Sequence, residues 1–453
     1  MPTVNRRDIP QEIFKAYDIR GLYPSELDED SSYRIARAFA VALKPKVVVL
    51  GRDMRESGPA VADATIRGLT DQGCDVIDVG LTSTSMYYFA VNHLDGDAGV
   101  MCTASHNPGQ YNGFKMTGRG AVPSISYVSN EDLWKMACEG NFPEPDKKGV
   151  LLGHKEVLDD YITAVLANTG MSSFGGLKIV VDSGNGMSGM IMPGLFERVG
   201  SKAIPLFWEL DGRFPNHEAN PLKEETLTTL KETVLKENAD LGAAFDGDAD
   251  RVAFVDEKGV SVSGDLITAL IAREMLKKSP GAKIMYDLRS SWVVKEEIEK
   301  AGGEAVMCRV GHGLIKRQMR EEGGYFAGEL SSHYYFSDFY FTDNGDLAML
   351  NIIKQLMAQG KKMSELIDPL RRYHHSGEIN SKVADVNAKL AELEKVYGSG
   401  KMLHLDGLTV EFDDWWFNVR PSNTEPLLRL NLEAKTKEKM AEKQEELLKL
   451  IRS

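Results

Sequence analysis

The sequence has no apolar run approaching the ~18 residues that a bilayer span needs, which argues against a transmembrane helix. It has only four cysteines, Cys74, Cys102, Cys138 and Cys308, and none of them shows Cys-x-x-Cys spacing. That argues against a disulfide frame or a zinc site and suits reduced thiols in a cytoplasmic protein. An excess of positive charge is also lacking. The formal net charge is −13, which argues against nucleic acid as a partner. The first ten residues are polar and lack an apolar core, so no signal peptide is expected. No internal repeat is visible.

What is present is a globular composition, 42% hydrophobic and 27% charged, in a chain of 453 residues, enough for three or four domains. Residues 46–50 form an apolar run that reads as a buried strand, ending at Gly51-Arg52-Asp53. Residues 59–72 have helical spacing, with Val61, Ala64, Ile66 and Leu69 on one side. A second strand is expected over 75–79, then a helix through Tyr88 and Val91, then a third strand over 99–102. Such alternation predicts an α/β fold with a mainly parallel sheet and helices on both faces. Further strands are expected over 177–182, 241–245, 252–255, 283–286 and 304–308, with a helix over 263–277. From about 371 the pattern is shorter and mixed. Strands lie near 409–412, 415–419 and 427–432, before an amphipathic helix over 437–452. The aromatics Tyr334, Tyr335, Phe336, Phe339 and Tyr340 read as core.

Four loops carry the chemistry. The third strand runs into Thr103-Ala104-Ser105-His106-Asn107-Pro108, and Pro108 bars a direct return to regular structure. A Ser beside a His on a strand-end loop is where an α/β protein places a nucleophile. The second loop is Asp246-Gly247-Asp248-Ala249-Asp250-Arg251. Three carboxylates at alternate positions point to one side and suit a hard divalent cation. An EF-hand is the rival, since Glu257 falls at its twelfth position. It fails because Arg251 takes the place of the loop glycine and strands, not helices, flank the loop. The third is Gly328-Glu329-Leu330-Ser331-Ser332-His333, in which Glu329 and Ser331 can both face one ligand. The fourth is Arg420-Pro421-Ser422-Asn423-Thr424-Glu425-Pro426, rich in the groups that hydrogen-bond a phosphate. A Gly-rich turn, Ser183-Gly184-Asn185-Gly186, reads as plain strand–helix packing.

These loops, in this order, resemble the phosphoserine, metal, sugar and phosphate loops of the α-D-phosphohexomutases. The resemblance spans nearly the whole chain. It implies three related α/β domains with mixed, mostly parallel sheets and a C-terminal α+β domain, arranged around a central cleft. The boundaries are placed at 1–150, 151–256, 257–370 and 371–453. It implies Mg²⁺ held by Asp246, Asp248, Asp250 and the phosphate on Ser105, with His106 beside that serine. It also implies a general acid or base at Lys115 or His333, and a hexose 1,6-bisphosphate as intermediate and activator. Lys15-Ala16-Tyr17-Asp18-Ile19-Arg20-Gly21 resembles the family's opening segment. Arg20 either forks onto the phosphate or pairs with Asp18 at the surface.

An acidic protein must concentrate positive charge locally to hold an anionic phosphosugar, and Arg20, Lys115, Arg251, Arg289 and Arg420 lie on these loops. The resemblance adds Tyr17, Gly311, His312, Glu329, Ser331, Ser422, Asn423 and Thr424 as substrate contacts. Within the family the sugar and phosphate loops look most like the phosphomannomutase branch. This implies interconversion of mannose 6-phosphate and mannose 1-phosphate, with glucose phosphates open as a second pair. The amino-sugar branch usually has other residues where this chain has Leu330 and Asn423. The family form has Gly in place of Ser332, which leaves the backbone here less permissive. A phosphatase and a non-catalytic sugar-phosphate binder are the other readings. The first has no need of the fourth loop, and the second has no need of Ser105 with three aspartates. The partner is a small phosphosugar, with no nucleic acid or membrane, and the chain is a monomer or small homo-oligomer.

Overall fold

The computed structural model describes residues 8–421 and 427–453, so Ser422, Asn423 and Thr424 lie outside the described residues. The chain divides into two compact units. One holds the residues up to Val262 together with Ser331–Met363; the other holds Ser263–Leu330 and Ser364–Ser453.

In the first unit, Val47–Arg52 is central in a six-stranded sheet, with Val48, Val49 and Leu50 fully buried. Apolar residues at successive positions suit a strand covered on both faces. It pairs in parallel with Ala98–Cys102 and Asp75–Leu81. On the far side of Ala98–Cys102, Tyr111–Gly118 runs antiparallel and sets Lys115 opposite Met101. The strand that delivers Ser105 and the strand that carries Lys115 are therefore neighbours. Leu151–His154 pairs with Asp75–Leu81, so the chain is still in the first sheet just past the expected opening of a second domain at 151.

A second sheet of five strands contains the antiparallel pair Leu241–Phe245 and Val252–Asp256, with Val252 opposite Phe245. The three-aspartate loop closes this buried hairpin, and strands flank it as expected. Tyr334–Phe336, Thr342–Asp343 and the helix Gly345–Gln359 return to the first unit, although they follow the sugar loop in sequence. Tyr334, Tyr335, Phe336 and Phe339 are buried, but Tyr340 is 36% exposed. It sits at φ 63°, where the backbone turns left-handed and carries its side chain off the core.

In the second unit, Lys283–Asp287 lies between the parallel strands Glu304–Cys308 and Gly324–Gly328. An antiparallel sheet follows, built on Trp415–Pro421 and Leu427–Ala434, with Ile379–Lys382 along the other edge of the latter. Leu447 and Ile451 of the helix Lys437–Arg452 complete its core. Among the described residues no helix is long and apolar enough to cross a membrane.

One buried carboxyl in the first unit stands apart from the expected site. Asp346 is fully buried and accepts from Tyr161 Oη at 2.5 Å, while Asn344 Nδ2 donates to the same hydroxyl at 3.0 Å. Burial pushes Asp346 up to about 7, against which the Tyr161 hydrogen bond works only in part. The unfolded chain ionises this group near pH 4, so the folded state binds the extra proton between about pH 4 and 7. Stability contributed there falls as pH rises through that window. Asp346→Asn should be close to neutral at pH 4 and should stabilise by about 2–4 kcal/mol at pH 8. Urea midpoints of both proteins at the two pH values measure it, and an equal effect at both would contradict the assignment.

Candidate active site

Ser105 has φ 52°, a left-handed conformation that costs a residue with a side chain roughly 1–2 kcal/mol. The surrounding structure enforces it. Arg55 is 1% exposed and spends its whole guanidinium beneath the loop. Nη2 donates to the carbonyls of Ser105 and Asn107, both at 2.7 Å. Nη1 donates to those of Pro108 and Tyr111 at 2.7 and 2.9 Å. Nε donates to Asp53 at 3.0 Å. Asp53 also accepts from Thr103 Oγ1 at 2.7 Å, and that hydroxyl accepts from Ser105 N–H at 2.9 Å. Five N–H groups of Arg55 thus fix one loop geometry.

The aspartate loop lies directly against it. Ser105 Oγ donates to Asp246 Oδ2 at 2.9 Å. Gly247 is required by close approach, since a Cβ there would stand 2.6 Å from the Ser105 carbonyl oxygen. Asp246, Asp248 and Asp250 are all fully buried, and each offers a carboxylate oxygen within 4.8 Å of the others. Their compensation is specific. Lys115 Nζ donates to Asp248 Oδ2 at 2.7 Å and to Asp250 Oδ2, and Thr84 Oγ1 donates to Asp248 Oδ2 at 2.6 Å. Burial works against the Lys115 charge, yet Asp248 and Asp250 hold it protonated above its ordinary value. Burial, then the charges of Asp250 and Asp248, pushes Asp246 up to about 8. Asp248 Oδ1 is buried with no hydrogen-bond partner among the described residues. Crowded oxygen donors with an unanswered lone pair fit a hard divalent cation. A second group, Asp250, His333 and Asp343, shares one ligand but brings a nitrogen, which suits such a cation less well.

Other expected residues ring this centre. Arg251 N–H donates to Asp246 Oδ1 at 3.2 Å, and Arg251 Nε donates to His333 Nε2 at 3.1 Å. The same Nε2 lies 3.5 Å from Asp250 Oδ1, and Nδ1 lies 3.2 Å from Ser331 Oγ. Main-chain pairing of Arg251 with His333, and Val252 N–H to the Ser332 carbonyl, fixes this approach. Ser332, where the family form has Gly, adopts φ 63°. Arg20 pairs with Asp18 at 2.7 Å, but Asp18 is buried rather than at the surface, and Arg20 Nη1 reaches Asn107 on the serine loop at 3.0 Å. His106 Nδ1 is 3.4 Å from Ser105 Oγ; burial and the charges of Arg251 and Arg20 hold the imidazole well below its usual range. Tyr17 is half-buried beside Asp18.

The second unit gathers the rest. Arg289 forks onto Asp287 at 2.6 and 3.2 Å, and Glu329 accepts from Gly311 N–H at 3.0 Å. Gly311 has φ 125°, which glycine alone adopts readily, and His312 opens the helix His312–Glu322. Arg420 Nη2 donates to Glu378 at 2.6 Å.

Arg55, Asp53, Thr84 and Glu378 were not among the expected site residues. Arg52-Asp53-Met54-Arg55, charged groups closing a buried strand, was the visible signal for the first two. Thr84 and Glu378 lie outside the four loops; Thr84 gave no signal, while Glu378 falls in Ser376-Gly377-Glu378-Ile379-Asn380-Ser381-Lys382, a stretch that also resembles the phosphomannomutase branch.

The phosphoglucomutase/phosphomannomutase family matches in all four parts: alpha/beta/alpha domain I over 11–131, domain II over 159–259, domain III over 263–373 and the C-terminal domain over 378–450. The chain belongs to this family of phosphohexomutases. It is 39% identical to a phosphomannomutase of Salmonella montevideo, over 97% of this chain and 99% of that one. Identity is 38% to the phosphohexose mutases of Xanthomonas campestris strain B100, over 93% and 95%. A crystal structure of a phosphoglucomutase/phosphomannomutase family protein from Burkholderia thailandensis superposes with TM-score 0.89 at 33% identity, covering 98% of this chain and 97% of that one.

Arg55→Met should remove all five donors and strand the Asp53 carboxylate in the core. The loss of stability should be about 3–5 kcal/mol. Denaturant melts of the variant measure it, and a loss below about 1 kcal/mol would mean the loop holds itself.

Proposed function

We propose that this chain is a phosphomannomutase that interconverts mannose 6-phosphate and mannose 1-phosphate through a phosphoserine at Ser105. The observation that carries the reading is the Ser105 hydroxyl, 2.9 Å from Asp246 at the edge of three buried aspartates braced by Lys115. The names of the relatives support the substrate. Glucose phosphates are the second pair. The unpaired cysteines suit the cytoplasm.

Phosphorylated Ser105 transfers its phosphoryl group to a hydroxyl of the bound monophosphate. The serine O–P bond breaks as the sugar O–P bond forms, giving a hexose 1,6-bisphosphate. After reorientation, the phosphate that was there first is returned to Ser105. His333 takes the hydroxyl proton, and Lys115, held protonated by Asp248 and Asp250, serves as the general acid toward the departing serine oxygen. Arg20 and Arg251 steady the transferring group, while Glu329 and Ser331 read the sugar hydroxyls. Arg289, His312 and Arg420, with the 422–424 segment, hold the non-reacting phosphate. Asp246, Asp248, Asp250 and the Ser105 phosphate would hold Mg²⁺, which when bound neutralises charge on the phosphoryl oxygens.

Ser105→Ala should abolish transfer while the fold persists. Intact mass should show one phosphoryl group on the wild type and none on the variant. Retained mutase activity in the variant would overturn the assignment. Side-by-side assays on mannose, glucose and glucosamine 1-phosphates resolve the substrate.

The same loop must hold the phosphate in both orientations, so Arg420→Ala should lower kcat/KM about ten- to hundredfold from either substrate. Lys should rescue only in part, because it lacks the planar fork. A loss confined to one direction would refute the shared holder.

A further inference from the structure

Arg420, on Trp415–Pro421, stands directly opposite Arg429, on Leu427–Ala434, in an antiparallel pair. Like charges at opposed positions repel, so this pair needs an anion. Glu378 supplies it, one residue before the strand Ile379–Lys382 that flanks Leu427–Ala434 on its other edge. Its Oε2 accepts from Arg420 at 2.6 Å and its Oε1 from Arg429 at 3.3 Å, and Arg289 Nη1 lies 3.8 Å away. Arg289 has Asp287 as a closer partner. For Arg420, Glu378 is the only carboxylate within 4 Å among the described residues. Arg420 is 8% exposed, and its Nε has no hydrogen-bond partner there. One end of this buried guanidinium is therefore held by a resident acid, and among the described residues the other end has no partner.

We propose that Glu378 is a stand-in for the substrate's non-reacting phosphate: it holds Arg420 in the resting protein, yields it when that phosphate arrives, and so limits how tightly the phosphate is held. The inference rests on reading Arg420 as the phosphate holder. A mutase that passes through a bisphosphate must release one phosphate from this holder and accept the other within a single turnover. A holder with no competing anion binds both too well, and turnover slows at reorientation. With a tethered carboxylate, each binding event exchanges one anion for another on the same guanidinium, and each release is assisted by the return of Glu378. Because only the difference between the two contacts remains, affinity is moderated without loss of orientation.

The test is Glu378→Gln, which removes the charge and keeps the shape. Mannose 1-phosphate binding is measured by calorimetry in a Ser105→Ala background, where no turnover occurs. Glu378→Gln should tighten binding about tenfold, the scale of one charge-assisted contact. In the active enzyme it should lower KM and kcat together. The double variant Glu378→Gln/Arg429→Gln keeps the net charge of the cluster and should show the same tightening, which guards against misfolding of the single variant. Unchanged or weaker binding in folded Glu378→Gln or in the double variant overturns the inference, because Glu378 would then only orient Arg420. If Arg420→Ala in the same background leaves affinity intact, the reading of Arg420 as phosphate holder fails instead.

Discussion

The constraint on which the serine loop depends is the satisfaction of Arg55. A guanidinium buried at 1% exposure must find an acceptor for every N–H, and here four of those acceptors are main-chain carbonyls of one short loop. The requirement runs both ways. The carbonyls are bound by a buried cation, and the guanidinium adds Asp53 and the face of Phe214, 5.4 Å from its ring centroid. The left-handed backbone at Ser105 is what this mutual demand imposes. The Ser105 hydroxyl, which donates to Asp246, is thereby carried on a backbone that Arg55 fixes.

A second economy of charge sits above it. Three buried aspartates would repel one another if unpaired, and Lys115 keeps two of them tolerable. Lys115 comes from a strand neighbouring the serine, so sheet register, rather than a long side chain reaching from solvent, delivers the counter-charge. On the proposed function, a phosphate on Ser105 and a cation on the aspartates would alter this balance together, since each would add charge of the sign that the other needs. The chemistry and the fold therefore share the same electrostatic account.

The loops were legible in the sequence because each is local. Alternate aspartates, a Ser-His pair and a glutamate two residues from a serine keep their meaning in isolation. The strands were legible because buried parallel strands are plain apolar runs, as at Val48, Val49 and Leu50. Arg55 was not, because its partners are carbonyls some fifty residues away and carbonyls leave no mark in a sequence. Glu378 was hidden for a related reason: a lone glutamate before a short strand shows its role only when strand pairing brings Arg420 and Arg429 opposite each other. Tyr340 was misread because its apolar neighbours suggest core, while the backbone turn that expels it is invisible to composition. The return of one later segment to the first unit left no trace in the sequence. Nothing in its composition says that Ser331–Met363 belongs with residues made long before.

That division bears on how the protein is made. A ribosome releases the first stretch of the first unit, then the whole of Ser263–Leu330, and only afterwards Ser331–Met363. During that interval Phe89 and Tyr161 lack Phe339, which stacks on the first and meets the second edge-on, each with ring centroids 6.2 Å apart. Arg251 likewise waits for His333. The nascent chain carries the serine loop and all three aspartates while an aromatic face stands open to water, a state inclined to self-association. Completion of the earliest-made unit is thus timed by one of the later segments, and a chain broken off before residue 331 would leave the ribosome with its aspartate loop made and its apolar seam unclosed.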